Sequence, residues 1–167
     1  MIAALLLAIH VALAPAQQTA APGDTLAVVV RVTEQGAPFN AYQALVQFDP
    51  TRLAFVASEE GPYMTDACGA TFHWFTAGTR ELGVVHSLLC AGLSLPGPGD
   101  VYTLRFRALA PGTAAVVFGM IEFADAGNPV TPVHAVGATV VVTVPTDIGM
   151  PPGRVVWTWA AVRRLWR

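Results

Sequence analysis

A chain of 167 residues suits one ordinary domain with short additions at its ends. Charged residues make up only 12% and hydrophobic ones 54%, while 15 Gly and 13 Pro supply many turns, a balance that favours an all-β domain over a helical one. The formal net charge of -2 gives no electrostatic case for nucleic acid as a partner.

Residues 1–16 hold an apolar run, Ile2–Ala8 and Ile9–Leu13, and then the small-residue ending Ala14-Pro15-Ala16. The pattern predicts an export signal cut after Ala16, although no Arg precedes Arg31 and the usual basic flank is missing. Residues 17–22 read as a short Ala/Pro-rich linker. From Gly23 onward a two-residue alternation takes over. Leu26, Val28, Val30 and Val32 share one face of a strand, with Ala27, Val29, Arg31 and Thr33 on the other. Glu34–Pro38 is a turn. Tyr42, Ala44, Val46 and Phe48 keep the same beat up to Asp49-Pro50. There Pro50 fixes its own φ, pushes Asp49 out of the helical region and leaves the Asp carboxylate to accept backbone N–H bonds. Leu53 and Phe55 open the next strand.

A longer loop spans 58–67, and Thr71–Phe75 and Leu82–Leu89 read as a hairpin around Ala77–Arg80. Centred on Thr79, that hairpin sets Cys68 opposite Cys90. With an even cysteine count in an exported chain, the placement predicts a disulfide between them. After a Pro/Gly loop at Leu95–Gly99, the cleanest alternation in the chain puts Tyr102, Leu104, Phe106 and Ala108 in the core and Thr103, Arg105 and Arg107 outside. Ala114–Phe118 continues to Phe123 through a bend at Gly119; Val130–His134 is a Pro-marked edge segment, and Ala138–Val144 a last core strand. About nine short strands result, the number of a closed-up sandwich. The tail, 146–167, departs from this pattern: Ile148–Gly153 is a linker, and Arg154–Arg167 carries three Trp and four Arg, a composition that suits a membrane interface in a length too short to span one, so that membrane contact is expected only through the leader or this tail.

Several of these stretches share an order with one family. Asp49-Pro50-Thr51-Arg52-Leu53-Ala54-Phe55 after an aromatic strand end resembles the second-to-third strand junction of bacterial cohesin domains. Gly23-Asp24-Thr25 before Leu26–Val32 is similar to their opening strand. Gly99–Ala108 with Pro111-Gly112-Thr113 is similar to their central strand, and Asp125–Val130 through Gly137–Val142 to their closing hairpin. The resemblance covers residues 23 to 144 and implies a jelly-roll β-sandwich, 23–145, that docks a dockerin-like protein. In that family a sheet face including the third, fifth and sixth strands meets the partner. Mapped here, it implies Ala54, Val56, Thr103, Arg105 and Arg107, with His86 and Leu88 beside them. Arg105 and Arg107 would pair with acidic or carbonyl groups of a partner helix.

No catalytic constellation stands out. The acidic residues sit mostly in turns without pairing, the serines lack a nucleophile-elbow context, and no phosphate-cradling glycine loop is present. Cys68, His73, His86 and Cys90 have the residue types of a zinc site. Counted along regular strands from the cysteines, however, the two imidazoles face opposite sides, which favours the disulfide and no metal or cofactor. Calcium near Asp125 and Asn128 lacks a ligand-dense loop. The expectation is therefore an exported, non-catalytic binding module at the cell surface or outside the cell. The alternative ligand is extracellular polysaccharide, for which Tyr63, Trp74 and Phe75 are the aromatics available to stack on sugar, with Trp74 expected in the core. A passive structural sandwich is the third reading.

Overall fold

The computed structural model describes residues 7–144, so the tail from 145 onward and the first six residues of the expected leader lie outside the described residues. Two sheets face each other. One has the order β11-β1-β3-β8-β5 and the other β2-β12-β9-β4-β7-β6, with β10 attached to β9. The strands are β1 (Ile9–Ala14), β2 (Gln17–Ala20), β3 (Thr25–Val32), β4 (Ala41–Phe48), β5 (Leu53–Glu60), β6 (Thr71–Ala77), β7 (Glu81–Leu88), β8 (Gly99–Ala108), β9 (Gly112–Asp125), β10 (Asn128–Val130), β11 (Val133–Val136) and β12 (Ala138–Val142). A single helical turn, α1 (Pro62–Thr65), precedes the cysteine hairpin. The architecture is the expected jelly-roll-like sandwich, built from twelve strands rather than about nine.

The extra strands come mainly from the N-terminus. Residues 9–14, expected in a removable leader, form β1, whose alternation buries Ile9, Val11 and Leu13. The strand lies between β3, antiparallel, and β11, parallel. Residues 17–20, expected as linker, form β2 parallel to β12 in the other sheet. One short segment thus crosses between the layers at Ala14-Pro15-Ala16, with the Thr139 N–H donating to Ala16 O. An apolar run satisfies an export reading and a core-strand reading equally, and here its alternation is used by the core.

The corner after β4 holds as expected. Asp49 Oδ1 accepts from Thr51 N at 2.9 Å and Thr51 Oγ1 at 2.7 Å, and these bonds pull the Asp49 pKa below the usual carboxylate value. The Arg52 guanidinium donates across to Pro111 O and ties this corner to the start of β9. Leu26, Val28, Val30 and Val32 of β3 and Tyr102, Leu104, Phe106 and Ala108 of β8 all point inward, as their alternation requires. The bend at Gly119 is a β-bulge: Leu45 pairs with Met120 and Val46 with Phe118, so Gly119 has no partner of its own on β4. Ala126 and Gly127, both with positive φ, make the two-residue turn from β9 to β10.

Cys68 and Cys90 are joined, with Cα atoms 6.0 Å apart. The hairpin register differs slightly from the expected one. His73 stands opposite His86 and Trp74 opposite Val85, so the cysteines are not ladder partners and lie beyond the strand ends. The bond closes a separation of 22 residues. Reduction is expected to cost roughly 3 kcal/mol in the chain-entropy picture. Urea unfolding with and without reductant checks this: a lower midpoint is the expected result, with a steeper slope because the reduced unfolded chain is more expanded.

Candidate functional site

On β6 the side chains divide cleanly. Thr71, His73 and Phe75 face the other sheet, whereas Phe72 and Trp74 are 50% and 61% exposed. Phe75 packs on Phe55 and Tyr102 at ring distances of 5.4 and 5.9 Å, and is a core side chain rather than a sugar platform. Trp74, expected inside, is outside. Both faces of this strand are aromatic, so the sequence of β6 alone does not orient it. The pairing with β7, whose Leu82, Val84 and His86 are buried, decides the matter.

The registers of β6, β7, β4 and β9 lay out the outer surface in rows. Phe72, Ser87, Ala41 and Ala124 form one, and Trp74, Val85, Gln43 and Glu122 the next. Thr76, Gly83, Leu45 and Met120 follow, and Glu81, Gln47 and Val117 end it. Because Gly83 has no side chain, a shallow depression opens, lined by Leu45, Trp74, Thr76, Val85 and Met120. Two amide–carboxylate bonds flank it, Gln43 Nε2 to Glu122 Oε2 at 2.6 Å and Gln47 Nε2 to Glu81 Oε2 at 3.1 Å. Glu81 and Glu122 are the only ionisable side chains in these rows. The surface has an apolar centre and an acidic rim.

The residues that the resemblance implied lie elsewhere. Ala54, Val56, Thr103, Arg105 and Arg107 belong to β5 and β8 of the opposite sheet. There Arg105 is paired with Glu59, and Arg31 bonds Asp100 through two nitrogens, a contact that lowers the Asp100 pKa. Its charges are largely internally compensated. His86 and Leu88 face the core and cannot meet a partner, a correction set by the parity of β7. Tyr63 is held within the fold, its hydroxyl accepting from Gly97 N at 2.6 Å and its ring beside Phe39. Leu45, Val85, Met120 and Gln43 were not singled out from sequence. Their signal was the outward half of each alternation, legible only once the inward half is known.

Beneath the apolar surface lies a polar cluster between the sheets. Glu60, the last residue of β5, reaches across to β6 and β7, accepting from Thr71 Oγ1 at 3.2 Å. Its Oε2 is 2.9 Å from His86 Nε2 and its Oε1 is 3.8 Å from His73 Nδ1. The contact with His86 is misaligned for a hydrogen bond, and neither nitrogen of this fully buried ring has a hydrogen-bond partner among the described residues. His73 Nε2 is 2.9 Å from the Tyr102 hydroxyl, which donates to Ser58 Oγ at 3.1 Å. Burial pushes the His86 pKa below its ordinary value, opposed by Glu60 and aided by His73. Burial likewise raises the Tyr42 and Tyr102 hydroxyls. The two imidazoles share a face, contrary to expectation, because the cysteines used for the count stand outside the ladder. Both thiols are consumed by the disulfide, and no three His, Cys, Asp or Glu side chains among the described residues are placed to hold a metal. Asp125 and Asn128 serve their turn: Asp125 accepts from Ser94, and Asn128 Nδ2 donates to Asp125 O and Ala126 O. Among the described residues no helix is long and apolar enough to cross a membrane.

This arrangement of two sheets is that of cohesin domains, and the chain is a cohesin-like domain in its fold. A non-cellulosomal cohesin from the archaeon Archaeoglobus fulgidus superposes with a TM-score of 0.63 at 16% identity, over 82% of this chain and 89% of the other. The sixth cohesin of Acetivibrio cellulolyticus scaffoldin B, solved in complex with a dockerin, gives 0.66 at 18% identity over 82% and 99%. A type I cohesin–dockerin complex from Clostridium thermocellum gives 0.66 at 15% identity over the same shares, 82% and 99%. No protein-family model matches the sequence, and no curated protein matches it. At these identities the likeness is one of fold.

Proposed function

We propose that this chain is a non-catalytic protein-binding module that takes a dockerin-like partner on the outer surface of β6, β7, β4 and β9. The observation that carries the reading is the apolar centre formed by Trp74, Phe72, Leu45, Val85 and Met120, with its acidic rim. Exposed aromatics grouped on a flat sheet are what a protein interface buries. The strand count supports the same surface. With β1 and β2 taken as the first strand, the third, fifth and sixth become β4, β6 and β7. The solved cohesins in complex with dockerins make a helical partner the natural class, with basic residues to meet Glu81 and Glu122.

The test is a binding titration of the full chain against a panel of dockerins. Trp74→Ala is expected to weaken any captured partner by roughly 30-fold or more, about 2 kcal/mol, as a central aromatic anchor does. Arg105→Ala with Arg107→Ala leaves that affinity unchanged. The opposite ranking moves the interface to β5 and β8.

A disulfide belongs to an oxidising compartment, so the module acts outside the cell or at its surface, with residues 9–20 retained in the folded product. A polysaccharide-degrading assembly is the proposed setting. A second reading has one observation in its favour. Phe72 and Trp74, two apart and both exposed, form a short aromatic strip of the kind that stacks on sugar rings. Retention on insoluble polysaccharide, lost in Trp74→Ala and with no dockerin bound, would establish it instead.

A further inference from the structure

The face just described rests on an edge hairpin whose inner side carries ionisable groups. β6 ends its sheet and pairs only with β7, which is itself laddered to β4, and the Cys68–Cys90 bond ties the segments at the hairpin's open end. The polar contacts that join this hairpin to the opposite sheet centre on Glu60, reaching from β5 to Thr71, His73 and His86, and on His73, which meets the Tyr102 hydroxyl of β8, beside the packing of Phe75 on Phe55 and Tyr102. His86 is wholly buried. Around it stand Glu60 from β5, His73 from β6, the Tyr42 ring from β4 at 5.8 Å, and Tyr102 from β8, linked to His73 through its hydroxyl. Glu60 is the one carboxylate in this set. In the neutral ring one nitrogen carries the proton, and Nε2, 2.9 Å from the Glu60 carboxylate though off the hydrogen-bond line, is the one with an oxygen near it. A second proton would fall on Nδ1, which no acceptor among the described residues meets. A charged, unsatisfied N–H in the interior is costly, and the fold can avoid it by parting the hairpin from β5.

We propose that the Glu60–His73–His86 cluster makes the β6–β7 hairpin acid-labile, so that the Trp74 surface is ordered in neutral solution and released as the surroundings acidify. The gating of a partner rests on the protein-binding reading; the opening of the hairpin does not.

The direction follows from linkage. His86 titrates near 6.5 when exposed and lower when folded. The opened hairpin therefore takes up the proton first. The stabilisation is complete above about pH 6.5 and is lost as pH falls from there toward the folded value. One proton changes the opening equilibrium by up to about tenfold per pH unit across that window.

Hydrogen exchange on the full chain reads this without any partner. Between pH 7.5 and 5.5, after correction for intrinsic exchange rates, amides of 71–77 and 81–88 are expected to lose protection relative to those of β3 and β8. His86→Phe, similar in shape and unable to titrate, is expected to remove that pH dependence. Glu60→Gln, which removes the only charge favouring the protonated ring, is expected to steepen it and serves should His86→Phe fail to fold. Equal protection of the hairpin at both pH values overturns the proposal, as does a pH response unchanged in His86→Phe or in Glu60→Gln. If the hairpin opens in acid but no dockerin binds at pH 7.5, the switch stands and the partner assignment falls.

Discussion

A chain starting at residue 17 is expected not to fold cooperatively. Such a chain lacks β1 and with it the burial of Ile9, Val11 and Leu13. Each is worth about 1.5–3 kcal/mol on burial, so roughly 5–9 kcal/mol is lost before the backbone is considered. The edge of β3 along Val29–Val32 and the edge of β11 lose their partner as well. Domains have only about 5–15 kcal/mol in total. Far-UV and near-UV circular dichroism during heating will decide: the expected result is loss of the near-UV signal and of any sharp transition. A cooperative melt within about 10 °C of the full chain would show that β1 is dispensable. Removal of residues 1–16 during export would have the same consequence as the deletion, so the mass of the exported chain is an equally direct check.

Phe106→Ala is the second large effect. This side chain sits two residues before the end of β8, fully buried, with Phe48 at 5.1 Å from the other layer and Phe55 at 6.3 Å beside it. Truncation removes the ring that both neighbours pack on and leaves a cavity that rigid β-strands close poorly. A cost of about 3–5 kcal/mol is expected. At about 2–4 °C per kcal/mol for a domain of this size, the midpoint should fall by roughly 6–20 °C. Calorimetry measures it. Phe106→Leu, which keeps most of the volume, should recover more than half of the loss.

The sandwich was legible wherever a strand has one apolar and one polar face. β3, β4 and β8 were placed with their inward residues correct, because alternation and burial are there the same statement, and β12 was placed as the last core strand. The Asp49-Pro50 corner was legible because its geometry is local. Elsewhere the pattern was two-valued. Residues 9–14 satisfy an export signal and a core strand alike, and taking them as the former shifted every later strand by one. Counted without residues 9–14, the third and sixth strands are β5 and β8, which is how the resemblance came to imply Arg105 and Arg107. On β6, aromatic residues on both faces allowed Trp74 to be read as a core residue, whereas the pairing with β7 puts it outside. The polar cluster was out of reach for a different reason: Glu60, His73 and Tyr102 lie on three strands, brought together only by the packing of two sheets.

The segment that crosses from sheet to sheet at Ala14-Pro15-Ala16 also orders events in time. β1 and β2 each pair in parallel with a strand near the far end of the domain, Ile9 with Val133 and Gln17 with Thr139. During synthesis those partners emerge about 120 residues later, a delay of roughly 6–25 s at ordinary elongation rates. Through that interval the apolar face of residues 9–14 has only β3 to rest on. The last step of maturation is then the arrival of β11 and β12 against a strand made first, and a ribosome stalled before residue 133 would hold a sandwich that has not yet closed.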